Sequence, residues 1–294
     1  MAAITTYRGL PSSLIPYLQA VFSRKPLLAP SGYISTDIQV IADRVKINPW
    51  HVRRYCDICG ITPAGTLPPA YLHVLAMPLH MRLFTHPRFP AKVLGLVHLR
   101  NNIRQHIQLP VDSTIQLSVR FDSLRETDMG QEYDVITTAT ISDQIAWMEV
   151  STMLARRWVA GKRPVIERGT RDESRLLCER TVDAVANTGR RYALVSGDYN
   201  PIHLFDRTAQ RYAFKQCVAH GMWSLARCVG LGDSYLPSVP MELDAQFKLP
   251  VYLPSNFLFR AQRSNSGIEL ALTTTKGDRL HLSVQVKPLG TLAA

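Results

Sequence analysis

The sequence predicts an α+β protein made of two similar halves, each a helix followed by a run of antiparallel strands. Three observations carry this. In "STIQLSVRF" (113–121), Ile115, Leu117, Val119 and Phe121 alternate with mostly polar residues, the period-two pattern of a strand with one buried face. An apolar helical stretch precedes the strands in each half, at 68–84 and at 207–232. Finally, Leu109-Pro110-Val111 returns as Leu249-Pro250-Val251, both times between strand-like segments. Matching element order together with this short repeat points to an internal duplication, and helices segregated onto one face of antiparallel sheet give the class.

The elements follow in order. "SSLIPYLQAVFSRK" reads as a short amphipathic helix with Ser12 or Ser13 as N-cap and basic residues at its end. "PSGYISTDIQVIADRVKI" reads as an irregular lead-in and then a strand. "PPAYLHVLAMPLHMRLF" (68–84) is apolar nearly all round, as a buried helix would be. "EYDVITTATISD" and "IAWMEVSTMLARR" are rich in β-branched residues and form a hairpin across a short Ser-Asp-Gln turn. "VAGKRPVIERGTRDESR" (159–175) mixes Gly, Pro and charge, as a linker does. After the second helical stretch come "MELDAQFKL", "NFLFRAQRS", "GIELALTTTK" and "RLHLSVQVKPL", the last three separated by Asn-Ser-Gly and Lys-Gly-Asp turns. The expected organisation is an N-terminal helix and lead-in over 1–44, a first unit over 45–160, a linker over 161–175 and a second unit over 176–294.

Composition narrows the function classes. The chain has 294 residues, 46% hydrophobic and 19% charged, with a net charge of +11. Residues 1–160 carry 16 Lys+Arg against 11 Asp+Glu, and residues 161–294 carry 18 against 12. With the charge this evenly spread and no basic run, a nucleic-acid arm is not expected. An evenly basic surface suits an anionic small partner or an acidic carrier. No apolar run reaches the ~18–20 residues of a membrane span, and no secretory leader is expected. Five scattered cysteines argue against a disulfide framework and for a reducing, cytoplasmic setting. Cys56-x-x-Cys59 has no second ligand pair, so buried thiols are expected there rather than zinc.

The chemistry concentrates in "LVSGDYNPIHL" (194–204). Gly197 allows a tight turn. Asp198 and Asn200 favour turns through bonds to their own backbone, and Pro201 stiffens the approach to His203. A carboxylate and an imidazole held rigidly together suit proton transfer. Downstream, Met222, Leu225, Ala226 and Val229 fall at helical spacing behind His220-Gly221. Gly221 then stands in a first turn, where backbone N–H groups lack intrahelical partners and the helix dipole is positive. Such an N–H can receive a carbonyl oxygen that gains charge during reaction.

"SGDYNPIHL", then "AHGM", then "FKLPVY" (247–252) together resemble the MaoC-like, R-specific enoyl-CoA hydratases. The resemblance implies a double hotdog fold, each half an antiparallel sheet wrapped around a central helix. It implies reversible hydration of trans-2-enoyl thioesters of CoA or acyl carrier protein, with no metal or redox cofactor and with homodimers compatible. Asp198 and His203 would activate water, Asn200 would support them, and Gly221 would bind the thioester oxygen. Gly197, Met222, Phe247 and Lys248 would line the substrate. Arg207, Arg211, Lys215 and Lys248 lie near the motif and either form a solvated face or meet the phosphates of a CoA or carrier arm. His220 is expected to cap or pack. The first half has no matching motif, so one site per chain is expected, with the unused half making room for a longer acyl chain. His73 and His80 would be core or tunnel-lining. A catalytically silent acyl-thioester binder, or a thioesterase on the same fold, is the alternative reading.

Overall fold

The strands of the computed structural model, which describes residues 3–33, 37–157 and 172–290, join into one 11-stranded sheet. The first half contributes β1 (Ala3–Arg8), β2 (Ile38–Lys46), β3 (Leu96–Gln105), β4 (Thr114–Thr127), β5 (Gly130–Ile141) and β6 (Gln144–Arg156). The second contributes β7 (Leu176–Ala184), β8 (Met241–Phe247), β9 (Ser255–Ser264), β10 (Gly267–Thr274) and β11 (Leu280–Pro288). Their spatial order is β1-β2-β4-β5-β6-β3-β8-β11-β10-β9-β7. Leaving out β1, which pairs parallel to β2, the order reads the same from both edges: β3 answers β8, β4 answers β9, β5 answers β10, and β6 answers β11. The halves meet where β3 and β8 pair antiparallel, with Asn101 opposite Ala245 and Ile103 opposite Leu243. The repeated Leu-Pro-Val tripeptides follow β3 and β8, as the duplication requires. In both halves the tripeptide segment then bridges to the chain ahead of the main helix, at Thr66–Pro110 and Val218–Tyr252. The molecule is a double hotdog.

The expected β5–β6 hairpin and the four strands of the second half are present, while two helical expectations are corrected. The stretch 68–84 is not one helix but α3 (Tyr71–Leu75) and α4 (Met77–Thr85). Pro78 lies in the first turn of α4, where its missing N–H and its ring break continuity with α3. The stretch 207–232 is α6 (Asp206–Gln210) and α7 (Gly221–Leu231). Between them the chain runs through turns and bends to the Val218–Tyr252 bridge, held by the Asp206 carboxylate, which accepts from the Cys217 N–H at 2.8 Å. "YALV" (192–195) lies in α5 (Thr188–Ser196), which ends just before the Asp198 loop. The leading helix, α1 (Leu14–Val21), has Ser13 at its N-cap, but the hydroxyl makes no cap bond.

One helix has no counterpart in the sequence reading. α2 (Pro49–Cys59) is capped by Asn48, whose side chain accepts from Trp50 N–H at 2.9 Å, and it stops at Gly60 in the left-handed region. It carries Cys56 and Cys59 into the core as buried thiols, with Cys56 pushed up to about 11 by burial. All five cysteines are free. α2 packs on α5 and α7, tying the first half to the second. Of the expected linker, residues 161–171 lie outside the described residues.

The core face of α7 is as the spacing predicts, with Met222, Leu225, Ala226 and Val229 all buried. Together with α7, Leu270, Leu272, Leu282 and Val284 of β10 and β11 form the apolar core of the second half. Among the described residues no helix is long and apolar enough to cross a membrane.

Candidate active site

α5 ends at Gly197, whose φ of 69° and N–H bond to the Ala193 carbonyl at 2.9 Å reverse the chain. The loop that follows satisfies itself bond by bond. Asp198 N–H donates to Ser196 Oγ at 3.1 Å, and Asn200 N–H donates to Asp198 Oδ1 at 3.1 Å. The Asn200 side-chain oxygen accepts from Ile202 N–H at 3.4 Å and caps a single 3-10 turn, Pro201–His203. Two further contacts fix the loop from outside. Tyr199 N–H donates to the Tyr17 hydroxyl of α1 at 3.2 Å. Gly189, in the first turn of α5, lies against the His203 carbonyl so closely that a Cβ there would stand 2.0 Å from the oxygen.

These bonds set the state of His203. Its Nδ1 is 2.7 Å from the Val218 carbonyl. A carbonyl only accepts, so Nδ1 carries the proton and Nε2 keeps its lone pair. A carboxylate oxygen of Asp198 and the ring nitrogens of His203 and His220 offer ligand atoms within 4.8 Å of one another. His220 was expected only to cap or pack. It is the N-cap of α7, and its ring also stacks on His203 with centroids 3.7 Å apart. Its Nε2–H donates to the Asp198 backbone carbonyl at 3.0 Å and stands 3.9 Å from Asp198 Oδ2.

Burial alone would raise the Asp198 pKa, but the facing His220 and His203 imidazoles and the Asn200 N–H hold it below its ordinary value. Burial lowers the His203 pKa, against the opposing pull of Asp198 and the Val218 carbonyl. His220 is pushed down to about 3 by burial and by its neighbour His203. At neutral pH the site therefore holds an ionised carboxylate beside two neutral imidazoles. Its side chains are not sealed off: Asp198 keeps 30% exposure.

α7 begins at Gly221, directly after the His220 that stacks on His203, and the Gly221 N–H has no partner within the helix. A Cβ at Gly221 would meet the Phe247 ring at 3.2 Å. Of the residues expected to line substrate, Phe247 lies against Gly221 and Gly197 ends α5 ahead of Asp198. Gly197 faces Met77 of α4, the first half's contribution, at 3.8 Å from where its Cβ would be. Met222 is buried behind the site, and Lys248 follows Phe247, its N–H donating to the His281 carbonyl at 2.9 Å. Arg207 and Arg211 line a surface hollow with Phe205 next to the catalytic loop.

Several participants escaped the sequence reading. His51 of α2 bonds the Val195 carbonyl at 2.9 Å through Nε2 and the Tyr71 hydroxyl at 2.8 Å through Nδ1, clamping α5 from the other half. Tyr17 and Met77 reach the loop from equally distant sequence, where no local pattern marks them. His220 could have been found, because it adjoins Gly221 in the motif itself.

Residues 169–282 match the family described as MaoC like domain. The matched stretch spans most of the second half and is similar to a MaoC-like domain. Over 282 residues the whole chain is 27% identical to 3-hydroxyacyl-thioester dehydratase X of Mycobacterium tuberculosis, covering 95% of this chain and 99% of that protein. The crystal structure of HtdX from the same organism superposes with a TM-score of 0.74 at 26% identity, over 85% of this chain and 100% of that one. A MaoC-like dehydratase from Phytophthora capsici shares the fold at 14% identity, with a TM-score of 0.66 over 86% of this chain and 96% of that one. The matched residues 169–282 contain the whole of the Asp198, His203 and Gly221 arrangement.

Proposed function

We propose that this protein is a hydro-lyase interconverting trans-2-enoyl and (3R)-3-hydroxyacyl thioesters. The observation that carries the reading is the pairing of an ionised Asp198 with the unprotonated Nε2 of His203, beside His220 at the N-terminus of α7. The relative's name, a 3-hydroxyacyl-thioester dehydratase, supports the same class.

In the hydration direction, a water held between Asp198 and His203 gives a proton to Nε2 as its oxygen bonds to C3. The electron pair of the C2–C3 double bond moves toward the thioester oxygen, which the Gly221 N–H stabilises, and C2 then takes the proton. Dehydration runs the same steps backward. Asn200 supports the pair by holding the turn. Either CoA or an acyl carrier protein can deliver the thioester. The Phe205, Arg207 and Arg211 hollow gives a cationic landing for the phosphates of the arm.

The test is the loss of enoyl-thioester absorbance with short and medium trans-2-enoyl-CoA, and with the matching carrier-protein thioesters. The wild type should react and give the (3R) alcohol, while Asp198→Asn and His203→Ala should each lose about 10²–10⁴ in rate. A wild type inert toward every thioester would leave the silent acyl-binding reading in its place.

A further inference from the structure

The two halves differ most where the fold gives no reason for it. On the inner face of the second half-sheet the side chains are apolar: Leu243 and Ala245 on β8, Leu270 and Leu272 on β10, Leu282 and Val284 on β11. On the corresponding strands of the first half the inner face carries Asn101 and Gln105 on β3, Thr137 on β5, and Glu149 and Ser151 on β6, all buried. Glu149 has 0% exposure. Burying a carboxylate is costly unless it is fully partnered, and an apolar residue of like volume serves stability as well or better. The first half nevertheless builds around it. His73 of α3 donates from Nδ1 to Glu149 at 2.8 Å, Asn101 donates from Nδ2 at 2.5 Å, and His80 of α4 bonds Thr137 at 2.8 Å.

This cluster leads back to the active site. The β3–β6 register slips between His98 and Arg100. Such a bulge shifts the alternation by one residue and re-aims the side chain beside it. Here it turns His98 inward, onto the same face as Asn101. His98 stacks on His73 at 5.7 Å and packs on Phe247 at 4.8 Å, and Phe247 lies against Gly221. The path from the α7 N-terminus thus runs along Phe247 to His98, His73 and Asn101. Asn101 Oδ1 is buried without a partner among the described residues. Its amide orientation is fixed by donation from Nδ2 to Glu149 and Ser151. His73 meets Glu149 through Nδ1, which leaves its Nε2 on the far side of the ring. The orphaned Asn101 oxygen accepts, so the complementary group is a donor, as a hydroxyl is.

Resting on the thioester reading above, we propose that the first half holds a polar acyl subsite for a hydroxyl group, formed by His73, His98 and Asn101 and backed by Glu149. The substrates are then hydroxylated acyl thioesters, with the extra hydroxyl beyond the reacting carbons, rather than plain fatty acyl ones. A site built to bond a hydroxyl discriminates strongly against the analogue without it, because its buried acceptors are otherwise left unpaired.

Binding and turnover are measured separately. Saturated ω-hydroxyacyl and unsubstituted acyl thioesters of equal length, on CoA and on carrier protein, are titrated calorimetrically over short and medium chains. The matching trans-2-enoyl pairs are followed by absorbance. The hydroxylated member of at least one pair should bind at least tenfold tighter. The Asn101→Leu/Glu149→Leu double variant, which makes this face apolar like its counterpart and leaves no lone buried carboxylate, should remove or reverse the preference in the calorimetric titration. His98→Phe should reduce the preference through binding more than through kcat. Equal affinity for both members of every pair, no affinity for either, or a preference unchanged in both variants overturns the subsite. Hydroxyl-selective binding without turnover would instead overturn the hydro-lyase reading and leave the subsite standing.

Discussion

Gly221 offers an unusually clean test of a single backbone atom. Its N–H is a first-turn group of α7, and proline is well suited to that position because the helix does not use the N–H there. The residue before it, His220, has φ −62° and ψ 139°, an extended conformation that a following proline accepts. Gly221→Pro should therefore keep the helix and delete only the donor, apart from the ring's contact with Phe247. Gly221→Ala adds a similar contact and keeps the N–H, so the ratio of the two isolates the donor. Loss of one oxyanion donor costs about 10²–10³ in kcat, and steady-state kinetics should find that deficit for Pro relative to Ala. His203 gives the second residue-scale expectation. Burial holds its pKa below the ordinary value, and the reaction needs Nε2 unprotonated. The acid limb of kcat/KM should thus fall below pH ~6.5, and a limb centred above that value would exclude His203 as the base.

At the scale of elements, the catalytic loop is only as well placed as the helices beside it. Gly189 sits in α5 because the His203 carbonyl leaves no room for a side chain. Gly189→Ala must push the loop away, and a displacement near 1 Å costs about 10²-fold in rate. kcat should drop by that order with KM changed little. Asn48 is the matching control. Removing its cap of α2 with Asn48→Ala should cost about 1 kcal/mol of stability in denaturant melts with kcat unaltered. These helices also mark how far the sequence could be read. The motif loop was legible because Gly197, Asp198, Asn200 and Pro201 each act on their own neighbours, and α7 was legible from its apolar spacing. α2 carried readable signals, Asn48-Pro49 at one end and Gly60 at the other, that were not used. The break at Pro78 was equally local, but the apolar run on both sides of it hid it. The end of α6 could not be read, since it depends on Asp206 and Tyr252 capturing chain from across the fold.

On the scale of the whole molecule, the duplicated architecture was legible in the order of elements, while the polarity inside the first half was not. Glu149 shares a face of β6 with Trp147 and Ser151, opposite Met148 and Val150, so the apolar alternation there does not reveal that it points inward. Nor does the sequence show that His73, Asn101 and Thr137 converge on it from three other elements. That convergence is one source of the protein's acid stability, beside His220 and His203 of the second half, whose pKa values burial also lowers. His80 is pushed down to about 3 and His98 to about 4, in both cases by burial first and by His73 next. Glu149 is drawn down to about 2, since its His73, His80 and Asn101 partners outweigh its burial. In the unfolded chain these groups return to ordinary values near 6.5 for histidine and 4.3 for glutamate. As pH falls below about 6.5, the unfolded chain therefore takes up protons at His80 and His98 that the folded protein refuses, and below about 4.3 it does so at Glu149 as well. Stability is full above pH ~6.5 and is lost progressively on acidification. Asp198 adds to the loss, its pKa being lowered, whereas Asp244, raised by burial and by Glu242, opposes it. The urea midpoint should accordingly decline from pH ~6.5 toward pH ~4. His98→Phe removes one refused proton from that interval and should flatten the decline. A midpoint that rises on acidification, or a His98→Phe slope as steep as the wild type, would show that the buried imidazoles of the first half are not what the folded state protects from protons.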